Sequence, residues 1–239
     1  MRYLELALPT AAENVALDEA LLEEAEAAGR PTETLRIWEP AEPMVVVGRS
    51  SRIEQEVHGD ACRRFGVPIV RRPSGGAAIV TGPGCLMYAL VLDRQSRGEL
   101  RTDDRAHRFV LGRLARALQP MKDGVRCRGI SDLAVGDLKF SGNSIRRKRT
   151  HLLYHGTLLC NFSLDLIDRY LAMPPRQPEY RGSRKHAEFV VNLGLDPAEV
   201  CAAIRAVWNA VDSYSEWPQA RTAGLVADRY GRREWNEGF

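Results

Sequence analysis

An apolar run that empties into a doubled glycine sets the first constraint on this chain. Val67–Val70 reads as a strand, and RRPSGGAAIVTGPG, Arg71 to Gly84, follows it directly. A turn needs one glycine. Two in a row, followed by small residues, describe backbone that another group must approach closely. The flanking arginines point to a negatively charged group. Amides exposed at Ser74, Gly75 and Gly76 would line up on a phosphate or carboxylate without side-chain obstruction. Arg71 and Arg72, ending a strand, would face opposite ways. The competing reading is a tight glycine hairpin with solvated arginines.

Around this loop, helical and strand patterns interleave. Residues 3–8 read as a strand. Residues 10–29 read as a helix, with Thr10 as N-cap and Glu13 at capping-box spacing. Its apolar positions Val15, Leu17, Ala20, Leu21 and Ala25 lie close to one face, and Gly29 is a natural stop. TLRIWEP and MVVVGRS, parted by Pro40 and Pro43, read as two strands. Residues 53–66 read as one helix, 85–92 as a strand and 102–121 as an amphipathic helix. SDLAVGDLKFSGNSIRR reads as a hairpin turning at Gly136-Asp137. The strand HLLYHGTLLCNF, a short helix SLDLIDRYL and a helix opening at Asp196-Pro197 follow. The remaining tail is polar and aromatic. Hairpins among interleaved helices predict an α+β fold: a mixed, largely antiparallel sheet flanked by helices, in one domain over 1–239.

Composition narrows the class. A hydrophobic fraction of 44% with 27% charged residues is that of an ordinary soluble globule. The 34 basic and 31 acidic residues leave a net charge of +3, too mild to imply nucleic acid. GxGxxG and GxxxxGK[ST] are absent, which removes two common nucleotide-binding signatures. Cys62, Cys85, Cys127, Cys160 and Cys201 are odd in number and widely spaced, with no CxxC. They argue for reduced thiols in a cytoplasm, against disulfides or structural zinc. No histidine has ligand spacing with a second His or Cys. No signal peptide or spanning segment is evident, so a cytoplasmic protein without a membrane partner is expected.

The second constellation is the 131–147 hairpin. Lys139 lies between Leu138 and Phe140 in a strand. Such a lysine points either to water or inward to a compensating anion, because an unpaired buried ammonium is costly. Period-two alternation predicts Lys139, Ser141 and Asn143 on one face, with Phe140 and Gly142 on the other. A cation, a hydroxyl and an amide on one face suit an acyl-phosphate transition state.

At these segments the sequence resembles the lipoate–protein ligases. RRPSGGAAIVTGPG is similar to their RRxSGGGxVxHD motif, SDLAVGDLKFSGNSIRRKR to NDL…(G)xKxSGxAxR, and YHGTLL to HHGTLL. ENVALDEALL, IWEPAEPMVVVGRS and SRKHAEFVVNL are similar to the N-L-A-x-E-E helix, the W…xVxxGRxQ stretch and the S-R-x-x-x-x-NL segment. The matches come in order over residues 3–193. The resemblance implies the biotin/lipoate ligase and octanoyltransferase fold, related to class II aminoacyl-tRNA synthetase cores. It implies activation of lipoate or octanoate by ATP as an acyl-adenylate, then transfer to a lysine of a lipoyl carrier domain. Lys139 falls on the family lysine that contacts acyl carbonyl and phosphate. Arg71, Arg72, Ser74, Gly75, Gly76 and Ala77 fall on the loop around acyl chain and phosphate. Asp132, Arg146, His155 and Asn14 fall on further substrate-site positions. No motif holds a metal directly; Mg2+ would come with ATP, with Asp132 the acidic candidate near it.

The sequence departs from the pattern at two points of the loop. Ala77 replaces the third glycine, and Thr81-Gly82 replaces the His-Asp pair. The roughly 90-residue accessory domain of longer relatives is not expected in this chain, which suggests a separate accessory subunit. The basic run Arg146–Arg149 is a candidate dock for an acidic carrier domain, and nucleic acid is not expected as a partner. Two rivals remain. Cys127, between Arg126 and Arg128, is a candidate nucleophile for ATP-independent octanoyl transfer, its arginines favouring thiolate. A non-catalytic carrier- or RNA-binding subunit is the other.

Overall fold

Two sheets of unequal size share one hydrophobic core in the computed structural model, which describes residues 1–238. The chain opens with β1 (Arg2–Glu5) and α1 (Ala11–Ala27). The capping box forms as expected: Thr10 accepts from the Glu13 amide, and the Glu13 carboxylate accepts from the Thr10 amide. β2 (Thr34–Trp38) and β3 (Met44–Val47) are fully buried, consistent with their unbroken apolar runs.

The helix expected over residues 53–66 is two helices, α2 (Ile53–Glu56) and α3 (Gly59–Phe65). Val57 between them forms an antiparallel bridge with Leu171, and His58 donates to the Tyr170 carbonyl. Distant pairing overrides the local helical pattern at this point. β4 (Ile69–Arg71) and β5 (Ile79–Thr81) then flank β3, parallel and antiparallel respectively, giving a three-stranded sheet. The glycine loop is the β4–β5 connection.

The remaining strands build the large sheet. They are β6 (Cys85–Asp93), β7 (Val125–Arg128), β8 (Asp132–Val135), β9 (Leu138–Arg147), β10 (His151–Leu159) and β11 (Asp212–Ser213). Their order is β11-β1-β2-β6-β10-β9-β8-β7, and all pairs from β2 to β7 are antiparallel. The mixed, largely antiparallel sheet flanked by helices is therefore as predicted. Gly136 has φ +59°, as the expected two-residue turn between β8 and β9 requires.

Alpha-helical segments cover both faces. α4 (Asp103–Leu118) packs on α7 (Pro197–Val207), whose first turn is capped by Asp196 with Pro197 in place. α5 (Asp165–Tyr170) and α6 (His186–Phe189) lie near the small sheet and β9. The aromatic tail is helical: α8 (Gln219–Leu225), a π turn over Val226–Tyr230 and α9 (Arg233–Glu237). α1 is buried between the sheet and this tail, and its buried positions include Asn14, Asp18 and Glu19. Among the described residues no helix is long and apolar enough to cross a membrane.

Candidate active site

A cavity of ≈ 230 Å³ lies where the glycine loop covers the large sheet. Val46, Val80, Met87 and Leu159 supply apolar wall, while Arg72, Lys139, Asp132 and His155 supply charge and polarity.

The glycine loop is held open by its own arginine. Arg72 donates to the carbonyls of Gly75 (2.6 Å), Ala77 (3.0 Å) and Val46 (3.2 Å). Desolvation pulls the Arg72 guanidinium down to about 10, and it stays charged at neutral pH. Gly76 has φ +92°, a conformation that glycine adopts freely. Its carbonyl packs against Gly48, where a Cβ would sit 1.9 Å away. Ala78 donates its amide to Glu56 (2.6 Å). The amides of Ser74, Gly75 and Gly76 carry no hydrogen bond among the described residues, and Gly75 and Gly76 are exposed. That is the arrangement an anion-binding loop needs.

Five of the candidate substrate residues do not line the cavity: Ser74 and Gly75 of the loop, and Arg71, Asn14 and Arg146. Arg71 is fully buried and lies outside it. Its guanidinium donates to the carbonyls of Gly48, Arg49 and Ser51 on one side, and of Trp235 and Asn236 on the other. Asn14 is also buried away from the cavity; its amide bonds Leu8, Thr10 and Arg36 and so closes the β1–α1 turn. Arg146 lies on β9 opposite Leu153, outside the cavity wall.

Ser74 and His155 belong to a buried polar chain behind the loop. Ser74 Oγ lies 2.5 Å from His155 Nε2, and His155 Nδ1 lies 3.5 Å from Asp18 Oδ2. Asp18 pairs with the buried Arg36 at 2.6 Å. Each charge in this interior has a partner, as its burial demands. Sequence reasoning missed Asp18 and Arg36. The available signal was a carboxylate, Asp18, set in the apolar stretch VALDEALL four residues beyond Asn14.

Lys139 projects from the face opposite to the expected one. β8 and β9 slip register between Leu133 and Ala134: Ser141 faces Leu133, Lys139 faces Ala134, and Phe140 is the extra residue. Such a bulge re-aims the strand. The Lys139 Nζ therefore lies over Gly142, 3.1 Å from where a Cβ would stand. It meets Asp132 Oδ1 at 2.7 Å, because Asp132 pairs with Gly142 across the strands. Ser141 and Asn143 keep each other's company: Asn143 donates to Ser141 Oγ (3.0 Å) and accepts from Tyr88. Lys139 remains 28% exposed, toward the cavity.

Asp132 does not suit a magnesium ion. One oxygen accepts from Lys139 and the other from Tyr180 (2.8 Å). Among the described residues, no group of three or more His, Cys, Asp or Glu could hold a metal.

Cys127 and the basic run also differ from expectation. Cys127 lies in β7, a strand that sequence reading missed, and outside the cavity wall. Its flanking arginines both pair with Asp137, and desolvation raises its pKa, so the thiol form is favoured over thiolate. Arg147, Lys148 and Arg149 pair with Asp103, Glu23 and Glu26. Arg147 and Lys148 are thus engaged, whereas Arg149 stays exposed at 3.8 Å from Glu26 and Arg146 has no ion pair among the described residues.

The comparisons with known proteins agree with this architecture. The family model for the lipoyl protein ligase A/B catalytic domain matches residues 10–204. Lipoate–protein ligase 1 of Staphylococcus aureus (strain Mu50 / ATCC 700699) is 24% identical over 209 residues, covering 82% of this chain and 62% of that protein. An octanoyl-[GcvH]:protein N-octanoyltransferase of Kyrpidia tusciae is 34% identical over 166 residues, covering 62% of this chain and 57% of that protein. The chain thus spans less than two thirds of the length of these relatives. Among solved structures, a bi-partite lipoate protein ligase from Thermoplasma acidophilum, studied with its E2 lipoyl domain, superposes with a TM-score of 0.83 at 21% identity, covering 99% of this chain and 96% of that one. A lipoate-protein ligase A bound with ATP gives 0.77 at 21% identity, covering 100% and 99%. With a family match over most of its length and the same fold as these structures, the chain belongs to the lipoyl protein ligase A/B catalytic domain family.

Proposed function

We propose that this chain joins lipoate or octanoate to a lysine of a carrier domain at the expense of ATP. The observation that carries this reading is the pairing across one cavity of a partly exposed ammonium, Lys139, and a loop with uncommitted amides. The apolar wall of Val46, Val80, Met87 and Leu159 suits a medium acyl chain. In the first step the acyl carboxylate oxygen attacks the α-phosphorus of ATP and pyrophosphate leaves. In the second, the carrier lysine amine attacks the acyl carbon, the C–O bond to AMP breaks, and the amine gives up a proton. Lys139 would hold the acyl oxygen in both steps, and the loop amides the phosphate. Magnesium, on this reading, is carried by the nucleotide; no carboxylate of the site is assigned to it.

The transferase rival needs a nucleophile at the acyl carbon. Cys127 is outside the cavity and its thiol is favoured over thiolate. An acidic lipoyl domain remains the proposed acceptor, approaching near the exposed Arg176 and Lys185, with the exposed Arg149 of the basic run as a further positive charge.

The test is a mass measurement on a lipoyl-domain acceptor. With lipoate, ATP and magnesium the acceptor should gain one lipoyl mass and pyrophosphate should appear. The Cys127→Ser enzyme should match wild type within about twofold. Transfer from an acylated carrier without ATP, lost in Cys127→Ser, would replace this reading by the transferase one.

A further inference from the structure

We propose that Tyr180 is a positioning residue for Lys139, acting through Asp132. The two oxygens of this one carboxylate are divided between two segments. Oδ1 holds Lys139 Nζ at 2.7 Å, and Oδ2 accepts from the Tyr180 hydroxyl at 2.8 Å. Asp132 is buried, so neither oxygen has bulk water as an alternative partner. Tyr180 comes from the 174–185 segment, whose Pro174, Pro178 and Arg181 line the same cavity. Its ring is fixed independently of its hydroxyl. Phe189 packs on it with centroids 5.2 Å apart, Arg128 lies over it at 5.0 Å, and Gly129 stands beneath it.

A carboxylate facing a single ammonium turns both oxygens to it and binds it tightly. A hydroxyl donor on the second oxygen stops that rotation and withdraws part of the negative charge. Lys139 has three N–H donors and gives one to Asp132. With Tyr180 in place the other two stay available on the cavity side. Without it, Asp132 draws the ammonium back from the substrate.

The inference rests on the functional reading for its effect on turnover, but Lys139 can be read without turnover. Tyr180→Phe keeps the ring contacts and removes only the hydroxyl. Acylation of Lys139 by N-acetoxysuccinimide, followed by peptide mass spectrometry with Lys122 as internal reference, reports how freely the amine is presented. We expect Lys139 in Tyr180→Phe to react about threefold more slowly than in wild type, and kcat to fall about tenfold with acyl-substrate KM within twofold. In an Asp132→Asn background, matched to its parent by thermal melting, Tyr180→Phe should change neither quantity. An unchanged labelling rate in Tyr180→Phe, or the same slowing in the Asp132→Asn background, overturns the proposal. An inactive wild-type chain would end the functional reading, and the labelling result would still decide on Tyr180.

Discussion

The chain carries cations on two strands that meet one cavity, and holds them in opposite ways. At the end of β4, Arg71 and the following Arg72 are buried and each donates to a cluster of backbone carbonyls. On β9, Lys139 has one carboxylate partner and an open side. The chemistry of the two groups explains the difference. A guanidinium carries five donors in a fixed plane and can knit several carbonyls into one shape. An ammonium is a point charge on a flexible stem, able to serve a protein oxygen and a substrate oxygen together. The arginines shape backbone, and the lysine keeps an open side toward the cavity.

The largest effect that would break this comparison is at the lysine. Lys139→Ala should lower the rate at saturating substrate by about 10²–10³. Its melting temperature should fall, because the buried Asp132 loses its cation and keeps only the Tyr180 hydroxyl, so the rates are compared where both proteins are folded. A rate within threefold of wild type would remove Lys139 from the chemistry.

Next comes the arginine. Arg71→Met should cost about 3 kcal/mol or more of stability in urea unfolding, because several buried carbonyls lose their donor at once. The enzyme that remains folded should bind acyl substrate normally. Normal stability with lost substrate affinity would make Arg71 a substrate residue and collapse the distinction.

The smallest effect sharpens the contrast by pH. His107 on α4 is buried against β10, its Nδ1 2.8 Å from the Tyr154 hydroxyl, and desolvation lowers its pKa below 6.5. In the window between that lowered value and about 6.5, the unfolded chain binds more protons than the folded one. Stability therefore falls as pH drops through the window. Urea midpoints at neutral and mildly acid pH should differ less in His107→Gln than in wild type. A residual slope is expected from His186, whose pKa burial also lowers. An identical slope in His107→Gln would exclude this contribution.

What the sequence made legible was what is decided locally. The Thr10–Glu13 capping box, the Gly136-Asp137 turn and the Asp196-Pro197 helix start each involve neighbours a few residues apart, and each formed. The doubled glycine marked the loop for the same reason. Failures began where a distant partner decides. Lys139 was put on the wrong face because the bulge at Phe140 depends on register with β8. The 53–66 helix broke because Val57 pairs with Leu171. Arg71 looked like a ligand for an anion because its carbonyl partners Trp235 and Asn236 lie in a tail with no strong pattern. β7 was missed because, of VRCR, only Val125 is buried.

That last arginine bond sets an order of events in biosynthesis. Arg71 reaches across 164 and 165 positions to Trp235 and Asn236. At a translation speed of roughly 5–20 residues per second, the partner carbonyls emerge about 8–33 s after the arginine does. Until then the guanidinium can grip the Gly48–Ser51 turn, and the Arg71 amide lacks its Asn236 acceptor. A nascent chain can thus pair β6, β9 and β10 around Lys139 well before the glycine loop is seated. The β4–β5 connection therefore takes its final seat only after the segment carrying Trp235 and Asn236 has been made.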